Sequence, residues 1–215
     1  MPESPARRYH SPQRDDQANA TRRSILESAE RLFAAVGFAA VTMQKVASEA
    51  GVALATVYFY FPGKAALIAA MADAIAASPE LSVEQVEGEA DPSTQLAAGA
   101  AIIRTLNERA WLVADILRST HGTDAGLEQA WALWQQRHLH AMTRAAAALG
   151  NRGALRKGVT TEQAADILYA LAGTDVYRSL VRERGWTPER YERWLFELAS
   201  LELLGAPPGS GSPGD

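Results

Sequence analysis

Residues 42 to 64 read TMQKVASEAGVALATVYFYFPGK, and no other run limits the possible folds of this chain so tightly. A threonine hydroxyl accepts from the orphan N–H groups of a helix's first turn, so Thr42 is expected to cap a short helix. Val46, Ala47 and Ala50 would then share one apolar face. Gly51 should end that helix, because a steep turn asks for a positive φ that a residue without a Cβ adopts freely. Val52 plugs the corner. A second helix would turn Val57 and Phe61 inward, with Phe59 packed alongside them, and offer Leu54, Ala55, Thr56, Tyr58 and Tyr60 outward. Two short helices hinged at a glycine, the second carrying small or hydroxyl-bearing side chains, make a helix-turn-helix that can lie close to a duplex.

The rest of the 215 residues agrees with an all-α protein. The chain is 47% hydrophobic, and its apolar residues recur at three- and four-residue steps with no alternating stretch. Ile25, Leu26, Ala29, Leu32, Phe33 and Val36 mark a supporting helix that stops at Gly37; Leu67, Ile68, Met71 and Ile75 mark the inner face of another over 64 to 77. Further helical patterns run over 94–107, 109–120, 124–149, 161–184 and 188–204, with Thr161 and Thr187-Pro188-Glu189 as good helix starts. About nine helices result. The expected organisation is a disordered arm over 1–18, a helix-turn-helix domain over 19–64, a larger helical domain over 65–205, and a disordered tail over 206–215, where APPGSGSPGD is low-complexity.

Charge and inventory narrow the function. The net charge is -4, yet residues 1 to 64 carry 8 Arg/Lys against 6 Asp/Glu, leaving 13 against 19 beyond them. The sign of that asymmetry suits nucleic acid, although phosphate contacts depend on where Arg22, Arg23, Lys45 and Lys64 sit. Cysteine is absent, which excludes disulfides and Cys-based zinc sites and agrees with a reducing cytoplasm. The most apolar run, 65–77, contains Asp73 and is too short to span a bilayer, so a soluble cytoplasmic protein is expected. His138 and His140 face different ways on a helix and make a poor metal pair, and no metal or other cofactor is expected. No thiol, nucleophile elbow, zincin motif or dinucleotide fingerprint supports catalysis, so no catalytic residue is assigned.

Gly37-Phe38, Thr42, Val46-Ala47, Ala50-Gly51-Val52, Thr56-Val57-Tyr58, Tyr60-Phe61 and Lys64 together resemble the N-terminal domain of the tetracycline-repressor (TetR/AcrR) family of bacterial transcription regulators. The match covers about residues 20 to 70. The resemblance implies an all-helical homodimer in which three N-terminal helices bind an operator and a fourth links them to a ligand-binding and dimerisation domain. By motif position, Gln44, Leu54, Ala55 and Tyr58 approach bases, while Thr42, Thr56, Tyr60 and Lys64 approach phosphates. The chemistry agrees in part: Gln44 can pair with adenine, Ala55 can touch a thymine methyl, and hydroxyls and an ammonium suit phosphate oxygens. Two departures stand out. Ala53 replaces the usual capping side chain of the reading helix, and Ala65 replaces the common acid after the lysine.

Residues 178 to 191 (RSLVRERGWTPERY) also resemble a subset of these regulators, in which the last two helices form the dimer interface. Ile167, Leu168, Leu171, Val176 and Leu180, with Tyr191, Trp194, Leu195, Leu198, Leu201 and Leu204, supply apolar surface for it. Leu127, Trp131, Trp134, His138 and Met142 form one stripe on the long helix over 124–149. With Ile103, Asn107, Trp111, Tyr169 and Asp175 from neighbouring helices, Trp131, Trp134 and His138 would line a pocket for a small apolar or aromatic ligand. The competing reading makes the same aromatics ordinary core. The implied function is a repressor released from a pseudo-palindromic operator by a small molecule. A regulator controlled by a protein partner, or by no ligand, is the alternative, and a helical small-molecule enzyme the remote one.

Overall fold

A computed structural model of the protein describes residues 12 to 81, 86, 88, 89 and 91 to 205, and these are helical with connecting turns and no strand. The chain divides into two compact units, Met1–Met71 and Ala72–Asp215.

In the first unit, α1 (Pro12–Val36), α2 (Met43–Ala50), α3 (Leu54–Tyr60) and the start of α4 (Lys64–Ala76) enclose one core. Ile25, Ala29 and Phe33 from α1, Val46 and Ala47 from α2, Val57 and Phe61 from α3 and its end, and Leu67 and Ile68 from α4 are all buried. The arm expected over 1–18 is helical from Pro12 onward. Proline suits a first turn, where its missing N–H would have no partner, and Asp15 faces the positive end of the helix dipole. Residues 1 to 11 lie outside the described ones, as does the tail over 206–215.

The second unit contains the end of α4, then α5 (Pro92–Thr120), α6 (Ala125–Asn151), α7 (Thr161–Leu171), α8 (Thr174–Tyr177) running into a π-helical turn (Arg178–Glu183), and α9 (Pro188–Leu204). Side chains mark the starts. Asp91 accepts from the Thr94 N–H at 2.7 Å and Asp124 from the Gly126 N–H at 2.8 Å. Thr160 and Gln163 form a reciprocal capping box, and Thr187 caps α9 ahead of Pro188. The core of this unit gathers Leu96 and Ile103 from α5, Met142 and Leu149 from α6, Leu168 from α7 and Leu195 and Leu203 from α9.

Two helix boundaries differ from the sequence reading. The patterns over 94–107 and 109–120 belong to one helix, α5, because Glu108 is no breaker and its carboxylate takes the Arg104 guanidinium at 2.6 Å one turn away. The pattern over 161–184 is broken instead. Ala172 and Gly173 interrupt it, Gly173 becoming the N-cap residue of α8, and the wide π turn follows. The apolar surface assigned to the last helices also divides. Leu168, Tyr191 and Leu195 are buried in their own unit, while Leu201 is 49% exposed.

Candidate nucleic-acid interface and ligand cavity

The helix-turn-helix is fixed by short-range chemistry. Thr42 accepts from the Lys45 N–H at 3.2 Å and starts α2. Gly51 takes φ 67° and ψ 30°, its N–H reaches the Ser48 carbonyl at 3.3 Å and the Val52 N–H returns to the Ala47 carbonyl at 3.0 Å, so the turn itself satisfies these two orphan carbonyls at the end of α2. Helix α3 then begins at Ala53 with no side-chain cap, the Thr56 N–H reaching the Ala53 carbonyl at 2.9 Å instead. The start of α3 depends on packing, chiefly of Val57 and Phe61, which are 0% and 2% exposed.

The outward face of α3 is unusual for a soluble surface. Tyr58 is 49% exposed and Phe59 is 82% exposed. The expectation that Phe59 packs with Phe61 is not met. Val57 and Phe61 lie one turn apart and face the core, so a residue two positions after Val57 is carried to the opposite side, whatever its chemistry. Its ring makes an edge contact with Tyr60, centroids 5.1 Å apart. Gln44, Ala55 and Thr42 are exposed, and Leu54, Thr56, Tyr60 and Lys64 are half-buried.

Three cations of this unit are held by backbone carbonyls or rings, while Arg31 pairs with Glu49 at 3.3 Å. Lys64 Nζ donates to the Phe38 carbonyl at 2.8 Å and sits 4.3 Å from the centre of the Phe38 ring. Lys45 Nζ donates to the Ala40 carbonyl at 2.9 Å, and the Arg22 guanidinium lies 5.3 Å over Phe61. An ammonium has three N–H donors, so each lysine keeps two for another acceptor while its position is set by the loop before α2.

Within the second unit a cavity of about 730 Å³ opens between α5, α6, α7 and α9. Of the residues expected to line a pocket, Ile103, Asn107, Trp134 and His138 do so, joined by Gln95, Leu96, Met142, Leu168 and Leu195, which the sequence does not single out for this role. The other four lie elsewhere. Trp131 stacks on His121 at 5.5 Å, and Trp111 lies under the Arg182 guanidinium at 4.9 Å. Tyr169 stands behind His138, its hydroxyl accepting from Gln135 at 3.1 Å. Asp175 is exposed and pairs with Arg178 and Arg118.

Three polar side chains of the cavity wall are held by partners within the chain. Gln95, 1% exposed, donates to the Ala145 carbonyl at 3.1 Å and accepts from Arg152 at 2.9 Å. Asn107, 3% exposed, donates to the Ile103 carbonyl at 2.9 Å. His138 Nε2 lies 3.1 Å from the Tyr169 carbonyl, and burial holds its imidazole below the usual histidine range. Among the described residues no cluster of His, Asp or Glu could hold a metal ion, and no single helix is long and apolar enough to cross a membrane.

Comparison with known proteins bears on both units. Residues 25–71 match the family described as "Bacterial regulatory proteins, tetR family". The HTH-type transcriptional regulator TtgR of Pseudomonas putida is 34% identical over 79 residues, 36% of this chain and 38% of that protein, so the alignment spans well under half of either. Among solved structures, the SmeT–triclosan complex has a TM-score of 0.72 at 20% identity, over 91% of this chain and 99% of that one. SmeT is described elsewhere as the repressor of the Stenotrophomonas maltophilia multidrug efflux pump SmeDEF. NalD, the secondary repressor of the MexAB-OprM multidrug efflux pump in Pseudomonas aeruginosa, has a TM-score of 0.68 at 24% identity over 88% and 98%. At such identities these structures show a shared all-helical fold.

Proposed function

We propose that this chain, which belongs to the tetR family of bacterial regulatory proteins, is a dimeric repressor whose hold on a pseudo-palindromic operator is released by a small molecule in the cavity of its second unit. The observation that carries the DNA-binding half is the outward face of α3. A seven-residue helix that exposes Tyr58 and Phe59 along with Ala55, after an α2 that exposes Gln44, gains nothing for its own unit from doing so. Such a face gains from a major groove, where a ring or methyl meets thymine methyls and an amide meets adenine.

Base reading falls to Gln44, Leu54, Ala55 and Tyr58, and phosphate contact to Thr42, Thr56, Tyr60 and Lys64. Lys64 is a positioned donor in this reading, because its bond to Phe38 leaves two N–H groups at a fixed place. Dimerisation through the last two helices is supported by the half-exposed Leu201, with Trp194 and Leu198 two turns and one turn before it on the same side of α9. A two-fold axis there would bring two copies of α3 to half-sites about 34 to 36 Å apart, or a multiple of a helical turn. The ligand would act by binding more tightly to the conformation that cannot span those half-sites. The cytoplasm, where bacterial DNA lies, is the place of action.

Selection of bound sequences from random DNA tests this directly. An enriched inverted repeat is expected, and loss of enrichment in Tyr58→Ala ties it to α3. Enrichment without symmetry, or none at all, contradicts the proposal.

A further inference from the structure

The cavity's polar wall can be read one hydrogen atom at a time. A backbone carbonyl only accepts, so His138 Nε2, 3.1 Å from the Tyr169 carbonyl, must carry the ring's proton. The imidazole is kept neutral by burial, and Nδ1 is therefore a lone-pair acceptor. Asn107 is oriented by the same logic: its amide nitrogen gives one hydrogen to the Ile103 carbonyl, which leaves Oδ1 as an acceptor and one N–H as a donor. Among the described residues neither His138 Nδ1 nor Asn107 Oδ1 has a protein partner, although Asn107 is only 3% exposed. Gln95, in the same wall, has both ends of its amide engaged. The remaining surface offered by Leu96, Ile103 and Met142 is apolar.

We propose that His138 and Asn107 select a neutral ligand that places a hydroxyl or N–H donor on an apolar body, the donor meeting His138 Nδ1. The inference rests on the reading of this cavity as the ligand site. A carboxylate would bring a second set of lone pairs against Nδ1. The cations at the cavity border do not offset this, since Arg137 is paired with Asp73 at 2.7 Å and Arg144 is engaged within the chain. An ether or hydrocarbon of the same shape would leave buried acceptors unpaired, which hydrogen-bonding sites penalise more than they penalise a change of bulk.

Calorimetric titration of the full-length protein with para-phenylphenol, its methyl ether and para-phenylbenzoate tests the donor requirement. The phenol is expected to bind about tenfold more tightly than the ether, the factor expected from one lost hydrogen bond to a buried acceptor, and more tightly than the benzoate. His138→Phe should bring phenol and ether to within about twofold. His138→Gln, whose amide can both donate to Tyr169 and present an acceptor, should keep the preference and guards against a simple folding defect. Equal binding of phenol and ether by the wild type, tighter binding of the benzoate, or no binding of any probe overturns the inference. Operator affinity measured in parallel separates it from the proposed function. Intact DNA binding with no phenol preference defeats the donor requirement alone, whereas a phenol preference without loss of operator affinity leaves it standing and removes ligand-triggered release.

Discussion

The two units place their exceptional residues in opposite ways. The first puts apolar rings outside, with Phe59 82% and Tyr58 49% exposed. The second puts polar groups inside, with Gln95 and Asn107 at 1% and 3% exposed in a largely apolar wall and a neutral His138 beside them. Each arrangement costs free energy in isolation, since exposed rings forgo burial and buried amides forgo water. Each becomes favourable against a partner of matching chemistry: a groove edged with methyls and acceptors for the first, a small molecule with a hydrogen-bond donor for the second. In the proposed reading Tyr58 and Phe59 meet DNA and Asn107 and His138 meet the ligand, whereas Gln95 is satisfied within its own unit by Ala145 and Arg152.

The sharpest break in that comparison is between Phe59 and Phe61, two residues apart. Phe61→Ala should cost about 3–5 kcal/mol, because a ring 2% exposed leaves a cavity in the core of the first unit. Phe59→Ala should change stability by less than about 0.5 kcal/mol. Denaturant unfolding followed by circular dichroism distinguishes them, and equal losses would mean that the exposed ring is structural after all. In the second unit Gln95→Leu should cost about 1–3 kcal/mol, since the Ala145 carbonyl and the Arg152 guanidinium lose a buried partner. A neutral result by the same unfolding measurement would mean that water replaces the amide there.

Protonation supplies a smaller effect with a definite sign. His138 is held below the ordinary imidazole range, so as pH falls the unfolded chain takes up the proton first. Its contribution to stability is complete above the unfolded value of about 6.5 and is lost as pH drops below it. Urea midpoints of the wild type should fall more steeply than those of His138→Phe between about pH 7 and pH 5. The smallest change is a gain: Ala53→Ser supplies the missing cap of α3 and should add about 0.5–1 kcal/mol, detected as slower amide exchange in Thr56 and Val57.

Legibility in the sequence followed the range of the forces involved. Thr42, Gly51 and the bare Ala53 start act within four residues, so TMQKVASEAGVA suffices to place them. Phe59 is misread when residue type is weighed above helical phase, although Val57 and Phe61 already fix which side is inside. Joining 94–107 to 109–120 needs only the observation that no glycine or proline stands at 108. The cavity is harder to read. A stripe on a helix as long as α6 drifts past several neighbours, so Trp131 meets His121 while Trp134, His138 and Met142 reach the cavity. Gln95 gives no signal at all, because its partners lie 50 and 57 residues away in sequence.

The central claim is that the exposed face of α3 reads DNA. It is tested most directly by the affinity of wild-type, Tyr58→Ala and Phe59→Ala proteins for the selected inverted repeat, at fixed salt, with unfolding stability measured on the same samples. The account predicts that Tyr58→Ala weakens binding about tenfold or more while stability changes by less than about 1 kcal/mol, with Phe59→Ala intermediate. Undiminished affinity in both variants, with a folded protein, would contradict it.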